Sequence, residues 1–389
     1  MARNKKKIIR ACTVSLSIDF FDEIMRRMRG DGYEMVALTS PGPELDKLKE
    51  EGFHCIEVEM ERHISPIKDL KSLLKMISVF RKEKPYMVHS MTPKAGLLCM
   101  MAGCLTGVPV RVHTFTGLVW PTSYGLKRKI LMTTDKLLCA CATHIIPEGQ
   151  GVMDDLRSGG ITKKPMKVLG YGNVKGVDME RFNPKRFASE LNTNCTNDTN
   201  NLSVGKERPF TFVFVGRIVG DKGVNELVEA FTKLHEKYDN TKLVIVGRYE
   251  ENLDPVSPVT LDRIKANPAI DACGAKYGDD LLKEYVKADC HVMPSYREGF
   301  PNTPIEAGAM GLPNIVTDIN GSREIVVDDE NGLIVPPRNV QPLYEAMERM
   351  LTDDALREKM RLNARPMIES RFEMSFVQDC LINFYKEIM

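Results

Sequence analysis

The sequence predicts an α/β protein with two Rossmann-like domains, each built around a parallel sheet. Short apolar segments alternate with amphipathic stretches in both halves of the 389-residue chain, and this alternation is typical of parallel strands covered by helices. The length favours two domains over one. A polar stretch rich in Asn and Thr separates the two halves and cannot build a core.

The first half contains six short apolar segments that we interpret as strands. They cover residues 8–14, 35–38, 55–58, 86–89, 110–113 and 144–146. Apolar residues between the third and fourth segments recur at helical spacing; they are Leu70, Leu73, Leu74, Ile77 and Phe80. Residues 94–106 form a further predicted helix, which ends at Gly107. These elements predict an N-terminal Rossmann-like domain over residues 1–183.

The second half repeats the same organisation after the linker predicted at residues 184–208. Predicted strands cover residues 210–215, 243–246, 290–293, 314–316 and 333–335, which places a second Rossmann-like domain at 209–374. Residues 375–389 form an amphipathic helix with four apolar residues on one face, Phe376, Cys380, Leu381 and Phe384. We expect this helix to cross back and pack on the first domain.

Composition limits the classes of function. A net charge of +1 gives no overall attraction for nucleic acid, and 43% hydrophobic residues is ordinary for a soluble globular protein. No apolar run approaches the length of a membrane-spanning helix. The ten cysteines match neither a zinc pattern nor a C-x-x-C motif, so we expect reduced thiols and a cytoplasmic protein.

Two glutamates flank a turn near the C-terminal end of the chain. Glu298 lies in a predicted strand-to-helix loop, and Glu306 lies in the first turns of the helix that begins near Pro304. Two carboxylates can accept hydrogen bonds from hydroxyls, while the helix N-terminus between them attracts phosphate. Glutamates in a charged chain are more often solvated, but the small residues Ala307 and Gly308 permit close approach of a ligand.

A glycine turn follows the first predicted strand of the second half. Gly216 and Arg217 open the turn, and Lys222 stands just before the next helix. Two cations beside the N–H groups of a helix N-terminus suit a diphosphate, with Arg as a planar fork and Lys as a point charge. A solvated charged loop is the alternative for this segment taken alone.

The glycine spacing argues against two other classes of nucleotide-binding protein. The turn contains neither G-x-G-x-x-G nor G-x-x-x-x-G-K-[ST], so dinucleotide binding and P-loop chemistry are disfavoured. Residues 170–172 approach the first pattern, but no helical pattern follows them. This chain therefore shares the fold class of nicotinamide-dependent oxidoreductases but lacks their glycine fingerprint.

Four segments together resemble the retaining GT-B glycosyltransferases of family 4, over nearly the whole chain. The segments are residues 216–217, 221–223, 176–178 with Phe182, and 298–306. The resemblance implies two Rossmann-like domains facing a cleft. It also implies that Glu298 contacts the donor sugar, that Glu306 binds the ribose, and that Arg217 and Lys222 hold the donor diphosphate. Four further residues would help to hold the donor through backbone groups: Phe300, Pro301, Asn302 and Thr303.

Two first-half segments, residues 89–98 and 110–117, resemble a bacterial subgroup that extends lipid-linked oligosaccharides for capsule, O-antigen or exopolysaccharide. Many family members carry a histidine directly before the glycine that is Gly117 here, and this chain has Thr116 instead. His113, on the predicted strand, is either an acceptor contact or a satisfied core histidine. Lys94, at a helix start, is a candidate for binding an acceptor phosphate. The predicted acceptor set is therefore Lys94, His113 and Thr116.

Four lysines form a stripe on the helix that precedes the fourth predicted strand: Lys68, Lys71, Lys75 and Lys82. A basic amphipathic helix can lie on anionic lipid, with each surface lysine contributing about 1 kcal/mol. A solvated helix face is the ordinary alternative. A polyprenyl diphosphate acceptor would favour the membrane, and the expected location is then the inner face of the cell membrane.

The expected activity is retaining transfer of a hexose or N-acetylhexosamine from a nucleotide diphosphate sugar, with UDP as the expected nucleotide, to a lipid-linked saccharide. The nucleotide sugar is a substrate, and no cofactor or metal is expected, because no Asp-x-Asp motif stands at a matching position. The alternative is a non-catalytic subunit of the same fold that binds sugar nucleotide or lipid. The intact set of Arg217, Lys222, Glu298 and Glu306 argues against that alternative.

Overall fold

The computed structural model describes residues 6–61, 63, 65–187, 208–250 and 254–389. The chain divides into two compact units, residues 1–176 with 375–389, and residues 177–374. Of the linker predicted at 184–208, residues 188–207 lie outside the described part of the chain.

The first unit is a six-stranded parallel sheet in the order β3-β2-β1-β4-β5-β6. Its strands are β1 (Lys7–Ala11), β2 (Glu34–Thr39), β3 (His54–Glu57), β4 (Met87–Met91), β5 (Val110–Phe115) and β6 (His144–Pro147). Its helices are α1 (Asp22–Gly30), α2 (Pro43–Glu50), α3 (Pro66–Glu83), α4 (Pro93–Leu105), α5 (Gly125–Cys141), α6 (Gln150–Ser158) and the C-terminal helix α14 (Met374–Ile388). Each of the six predicted strands overlaps an observed strand.

Helices cover both faces of this sheet. Successive strand residues point to opposite faces, and Ile9 on β1 packs in the cluster that contains Met76 of α3, Leu98 of α4 and Leu138 of α5. Ile8, its neighbour, packs in a second cluster with residues of α1, α2 and α14. The helices α3, α4 and α5 therefore form one layer of the unit.

The second unit repeats the architecture with strand order β12-β11-β10-β7-β8-β9, again all parallel. Its strands are β7 (Phe210–Val215), β8 (Thr241–Val246), β9 (Ile270–Gly274), β10 (Cys290–Met293), β11 (Asn314–Thr317) and β12 (Gly332–Val335). Its helices are α7 (Val224–Lys237), α8 (Pro258–Ala266), α9 (Gly278–Lys287), α10 (Asn302–Ala309), α11 (Ser322–Ile325), α12 (Val340–Thr352) and α13 (Asp354–Phe372). The prediction of two Rossmann-like sheets is confirmed.

Helix α3, which the apolar periodicity predicts, buries only part of its apolar residues. The buried residues are Ser72, Met76 and Phe80, whereas Leu70 and Leu74 are 57% and 58% exposed. Apolar residues occupy more of the helix circumference than α4 and the sheet can cover, so part of the predicted apolar face points to solvent.

Helix α14 packs on the first unit, as predicted, and a buried polar network fixes it there. Arg10 Nη1 donates to His89 Nδ1 at 2.7 Å and also contacts the Tyr385 hydroxyl of α14. Because Arg10 is a permanent cation, His89 Nδ1 accepts, and its Nε2–H donates to Thr114 Oγ1 at 2.7 Å. The network joins β1, β4, β5 and α14 in the core.

Buried histidines are held neutral in this fold. Burial, and then the charge of Arg10, lower the pKa of His89 well below its usual value. Burial lowers the pKa of His113 to about 3 and that of His291 to about 4. Each of these groups therefore binds protons more weakly in the folded chain than in the unfolded one.

We predict acid sensitivity from these depressed pKa values. The stability that a neutral buried histidine allows is fully present above the unfolded pKa of about 6.5 and is lost as pH falls below it, by about 2 kcal/mol per histidine at pH 5. Urea unfolding at pH 7 and pH 5 should show the loss. In His113→Gln the difference in unfolding free energy between pH 7 and pH 5 should be smaller than in wild type by about 2 kcal/mol. His63→Gln, at an exposed histidine, is the control and should show the wild-type difference. An unchanged pH dependence in His113→Gln would contradict the assignment.

Candidate active site

The residues assigned to the donor lie on loops at the carboxyl ends of adjacent strands of the second sheet. β7 leads into residues 216–223, and β10, its hydrogen-bonded neighbour, leads into residues 294–301. Helix α10 begins at Asn302, directly after the second loop. Ligands of open α/β sheets bind at this edge, where loops and helix N-termini converge.

Two glycines allow these loops to touch. Gly223 has a φ of +69°, and a Cβ there would lie 2.1 Å from the carbonyl oxygen of Pro294. Gly321, after β11, has a φ of +75°, and a Cβ there would lie 2.5 Å from the carbonyl oxygen of Gly299. Only glycine satisfies both the left-handed backbone and the close approach, so the β10 loop is fixed from both sides.

Lys222 and Glu298 form an ion pair that bridges the β7 and β10 loops, between Nζ and Oε1. Their side chains are 19% and 15% exposed, so solvent and salt screen the pair less than an exposed pair. The predicted diphosphate cation and the predicted sugar-contacting carboxylate are therefore in direct contact. No sequence argument paired them.

A second set of contacts supports this pair. The Tyr296 amide donates to the Asp221 carbonyl at 2.8 Å, and the Tyr296 hydroxyl donates to Glu226 Oε1 at 2.6 Å. Arg297 Nη2 reaches Asp221 Oδ2 at 3.2 Å. The other carboxylate oxygens, Asp221 Oδ1 and Glu226 Oε2, are buried and lack a hydrogen-bond partner among the described residues. The two loops thus meet through three consecutive residues, 296–298.

Sequence reasoning missed Tyr296, Glu226 and Asp221 as supports of the site. Asp221 and Tyr296 are the immediate neighbours of Lys222 and Arg297 in the two motifs, but their pairing depends on the adjacency of β7 and β10. Glu226 lies in the first turn of α7, where an acidic residue is usually explained by the helix dipole alone.

Arg217 lies on the β7 loop with a different partner. Its Nη1 donates to Glu250 Oε2 at 2.8 Å, and 43% of its side chain is exposed. Glu250 is 15% exposed and also lies 3.5 Å from Arg248, so it keeps a cationic neighbour if a diphosphate takes the exposed Arg217 guanidinium. The structure does not bring Arg217 into the Lys222–Glu298 pair.

The β10 loop leads into α10, and the residues at this junction have different contacts. Phe300 is buried and packs edge-to-face on Phe372, with ring centroids 5.5 Å apart. Pro301 is the N-cap, and no described side chain caps the helix. Thr303 Oγ1 lies 3.6 Å from Met293 Sδ. The first turn of α10, including Asn302, is therefore presented by a rigid, apolar support.

Glu306 lies inside α10, as predicted, and has a buried neighbour. The hydroxyl of Tyr285 donates to Glu306 Oε2 at 3.3 Å. Burial, followed by the negative charge of Glu306, raises the pKa of Tyr285 well above its usual value. Tyr285 thus stays protonated and orients the carboxylate that the family resemblance assigns to the ribose.

The predicted acceptor residues lie in the first unit, in three different environments. Lys94, in the first turn of α4, donates to both carboxylate oxygens of Asp69 at 2.6 and 2.8 Å. Thr116 follows β5 and is partly buried. His113 is 1% exposed, and its Nδ1 lies 2.9 Å from Ser90 Oγ. His113 is therefore a core residue with almost no exposed surface, as the core alternative describes, and a role for it as an acceptor contact stays a prediction.

Two Rossmann-like units, with the predicted donor residues at the carboxyl edge of the second sheet, are the arrangement that the resemblance to GT-B glycosyltransferases implies. Comparison with known proteins agrees. The family model described as "Glycosyl transferase 4-like domain" matches residues 19–172, and the model "Glycosyl transferases group 1" matches residues 198–367.

Individual relatives extend over most of the chain. The capsular polysaccharide biosynthesis glycosyltransferase CapM of Staphylococcus aureus is 32% identical over 99% of this chain and 98% of its own. An Escherichia coli protein, UDP-Gal:alpha-D-GlcNAc-diphosphoundecaprenol alpha-1,3-galactosyltransferase, is 28% identical over 84% of this chain and 82% of its own. The Anabaena protein HepE, crystallised with UDP, shares the fold with a TM-score of 0.76 at 15% identity, covering 98% of this chain and 100% of that one.

The chain belongs to the glycosyltransferase family that these two models describe. The resemblance in the second-half motifs, Gly216 to Gly223 and Glu298 to Glu306, is thereby confirmed at the level of the family. The roles of the individual residues stay predictions.

We predict that Gly223→Ala lowers the free energy of unfolding by more than a glycine substitution that introduces backbone strain alone. The matched control is Gly311→Ala, in the same unit, where φ is +83° and no atom lies within 4 Å of the new Cβ. Both variants should lose about 1 kcal/mol from the left-handed backbone, and Gly223→Ala should lose about 1–3 kcal/mol more because its methyl group meets Pro294. Urea denaturation measures the difference, and calorimetry should show weaker nucleotide binding only in Gly223→Ala. Equal losses in the two variants would contradict the close packing of the loops.

Proposed function

We propose that this glycosyltransferase moves a hexose or N-acetylhexosamine from a UDP-linked sugar to a saccharide carried on polyprenyl diphosphate, in the synthesis of a surface polysaccharide. The observation that carries the donor half of the proposal is the bridge between Lys222 and Glu298, at the sheet edge where α10 begins. It sets a cation for phosphate beside a carboxylate for sugar hydroxyls. The acceptor half is supported by the relatives, one named for capsule synthesis and one for a diphosphoundecaprenol-linked acceptor.

Glu298 and Lys222 have complementary tasks in this proposal. The carboxylate of Glu298 accepts hydrogen bonds from the donor sugar, and the ammonium of Lys222 turns from Glu298 toward the diphosphate. The charge that develops on the leaving diphosphate is stabilised by Lys222, by Arg217 and by the N–H groups at the start of α10. Phe300 and Pro301 hold this helix start in place, and Asn302 and Thr303 present it. No metal is assigned a role.

Transfer with retention needs no protein base in this arrangement. The bond between the anomeric carbon and the β-phosphate oxygen breaks, and the acceptor oxygen bonds to the same face of the anomeric carbon. The acceptor proton passes to an oxygen of the departing diphosphate, so the nucleoside diphosphate leaves carrying that proton. This scheme is consistent with the core position of His113. Lys94 and Thr116 stay candidates for contact with the acceptor.

UDP is the proposed nucleotide because two independent similarities name it. The E. coli relative is a UDP-Gal-dependent enzyme by name, and the HepE crystals contain UDP. Glu306, oriented by Tyr285, is the proposed ribose contact.

We also propose a cytoplasmic location with peripheral contact to the membrane that holds the acceptor. Among the described helices, none is long and apolar enough to cross a bilayer. Lys68, Lys71, Lys75 and Lys82 lie on α3, all of them on its exposed side. A helix of this composition is suited to an anionic lipid surface.

We predict that Glu298→Ala lowers kcat by about 10²–10³-fold, the usual effect of losing one group that acts on the transition state. Lys222→Ala should lower kcat by a similar factor, and the double variant should lose less than the product of the two because the residues are in contact. Release of UDP from a UDP-sugar with a lipid-linked acceptor measures the rate. Glu358→Ala, an exposed glutamate of the same unit paired with Arg361, is the matched control. A Glu298→Ala enzyme with wild-type kcat would rule out this donor site.

A thermal-shift panel tests the nucleotide and the alternative reading as a non-catalytic binder. UDP and UDP-sugars should raise Tm, because a ligand of the folded state stabilises it in proportion to RT ln(1 + [L]/Kd). GDP, ADP and NAD at the same concentration should have smaller effects. A shift with UDP but no sugar transfer from any donor would favour a binding subunit, and a shift with NAD alone would overturn the proposal.

A further inference from the structure

The layer formed by α3, α4 and α5 carries large apolar side chains on its solvent side. On α3 these are Ile67, Leu70 and Leu74, which are 75%, 57% and 58% exposed. Helix α4 packs between α3 and α5, and Leu105 at its C-terminal end is 63% exposed. Exposed apolar residues that occur singly are ordinary, but a group on one layer indicates an interaction surface.

Helix α5 has the most regular exposed apolar face. Leu126, Ile130 and Leu137 are 73%, 40% and 43% exposed, and their spacing of four and seven residues places them on one side of the helix. Tyr124, directly before the helix, is 79% exposed. Aromatic residues with a polar tip are typical of the boundary between lipid and water. No sequence motif described above lies on this helix.

Cations flank the apolar face of α5 on both sides. Lys127 lies on one side and Lys129 and Lys136 lie on the other, at about 60–100° from the line of Leu126, Ile130 and Leu137 by helical geometry. All three lysines are exposed. An apolar stripe bordered by flexible cations is the pattern of helices that lie in the plane of an anionic membrane.

The carboxylates of α3 and α5 do not offset these cations. The two helices contain nine Lys and Arg and only three Asp and Glu, although the whole chain has a net charge of +1. Asp69 is bound to Lys94 of α4, and Glu83 is bound to Lys7 of β1. The third carboxylate, Asp135, has its pKa raised to about 7 by burial. Lys68 of α3 is paired with Glu61, which precedes the helix. The positive charge on the solvent side of this layer therefore comes from the other lysines of α3 and from those of α5.

We propose that the solvent side of α3 and α5 is a membrane-docking face for anionic lipid, in which Leu126, Ile130 and Leu137 enter the boundary of the acyl chains while the lysines bind headgroup phosphates. Charge selects lipid over a protein partner, because the cations occur on both helices and border the apolar residues throughout. The inference deepens the proposed function, since it names the surface that brings the first unit to the acceptor's membrane.

Vesicle sedimentation of the full chain tests the proposal. The protein should bind vesicles of phosphatidylglycerol and phosphatidylcholine at low salt, and should bind less at 0.5 M salt because screening weakens charge attraction. Pure phosphatidylcholine should bind at least tenfold more weakly. The variant K127Q/K129Q/K136Q should lose about a hundredfold in partition coefficient, as expected for three interfacial cations. The variant L126Q/I130Q/L137Q should lose at least tenfold.

Matched controls separate docking from folding and from general charge. K233Q/K237Q/K265Q removes three exposed lysines from the second unit, and L362Q replaces an exposed leucine there that is 61% accessible; both should bind like wild type. Circular dichroism should show that all variants stay folded. Wild-type partition of both α5 variants would overturn the proposal, and so would a concentration-dependent dimer that the α5 substitutions abolish.

Activity on a short-chain acceptor dissolved in detergent distinguishes this inference from the proposed function. The α5 variants should transfer sugar at the wild-type rate in detergent and more slowly with acceptor in vesicles. Vesicle binding without any sugar transfer by wild type would leave the docking face standing and reject the proposed function. Sugar transfer in detergent without binding to anionic vesicles would support the proposed function and reject the docking face.

Discussion

The contact between the β7 and β10 loops is the constraint on which the candidate site depends. Gly223 lets the backbone approach Pro294 so closely that no side chain fits between them. This approach sets Asp221 against Tyr296 and Lys222 against Glu298. Lysine and glutamate side chains lose substantial rotamer entropy when they are fixed. The two loops hold the backbone of both residues in place and the ion pair already restricts both side chains, so a change of partner starts from a partly ordered site.

A buried cation has a similar organising role in the first unit. Arg10 cannot lose its proton, and an unpaired buried charge would cost several kcal/mol. Its hydrogen bonds to His89 and Tyr385 therefore make the position of α14 specific. The apolar residues of α14, Leu381 and Phe384 among them, supply the burial, and the polar network selects one register. A helix held by apolar contacts alone could slide at low cost, because hydrophobic burial has no direction.

Local sequence patterns predicted most strands and helices, but they did not predict which residues of different loops lie in contact. Strands buried on both faces form continuous apolar runs, which is why β7, β8 and β10 were recognisable. The edge strand β9 is half-exposed and lacks such a run, so its pattern carried no signal. Apolar periodicity locates α3, but it does not give the buried face, because the helix carries more apolar residues than the core accepts. Lys222 and Glu298 are 76 positions apart, and only the adjacency of β7 and β10 brings them together. Strand order is a property of the sheet, and no local pattern encodes it.

The environments of the cations indicate which residues are available for ligands. Arg10 is enclosed in the core, and Lys94 is 13% exposed and bound at short distances to Asp69. Moving Arg10 away from His89 and Tyr385 would leave an unpaired cation in the core. Lys94 has an anionic partner instead, so an acceptor phosphate would have to compete with Asp69 for it. The lysines of α5 are exposed, so exchanging solvent for phosphate costs them little. Arg217 is also exposed, and its partner Glu250 keeps Arg248 as a second cationic neighbour. Lys222 is intermediate, since its side chain and that of Glu298 are 19% and 15% exposed. In the proposed donor site Lys222 would turn to the diphosphate while Glu298 accepts hydrogen bonds from sugar hydroxyls, so that neither charge is left unsatisfied. This exchange of partners is the physical reason to propose sugar and diphosphate at the same two loops.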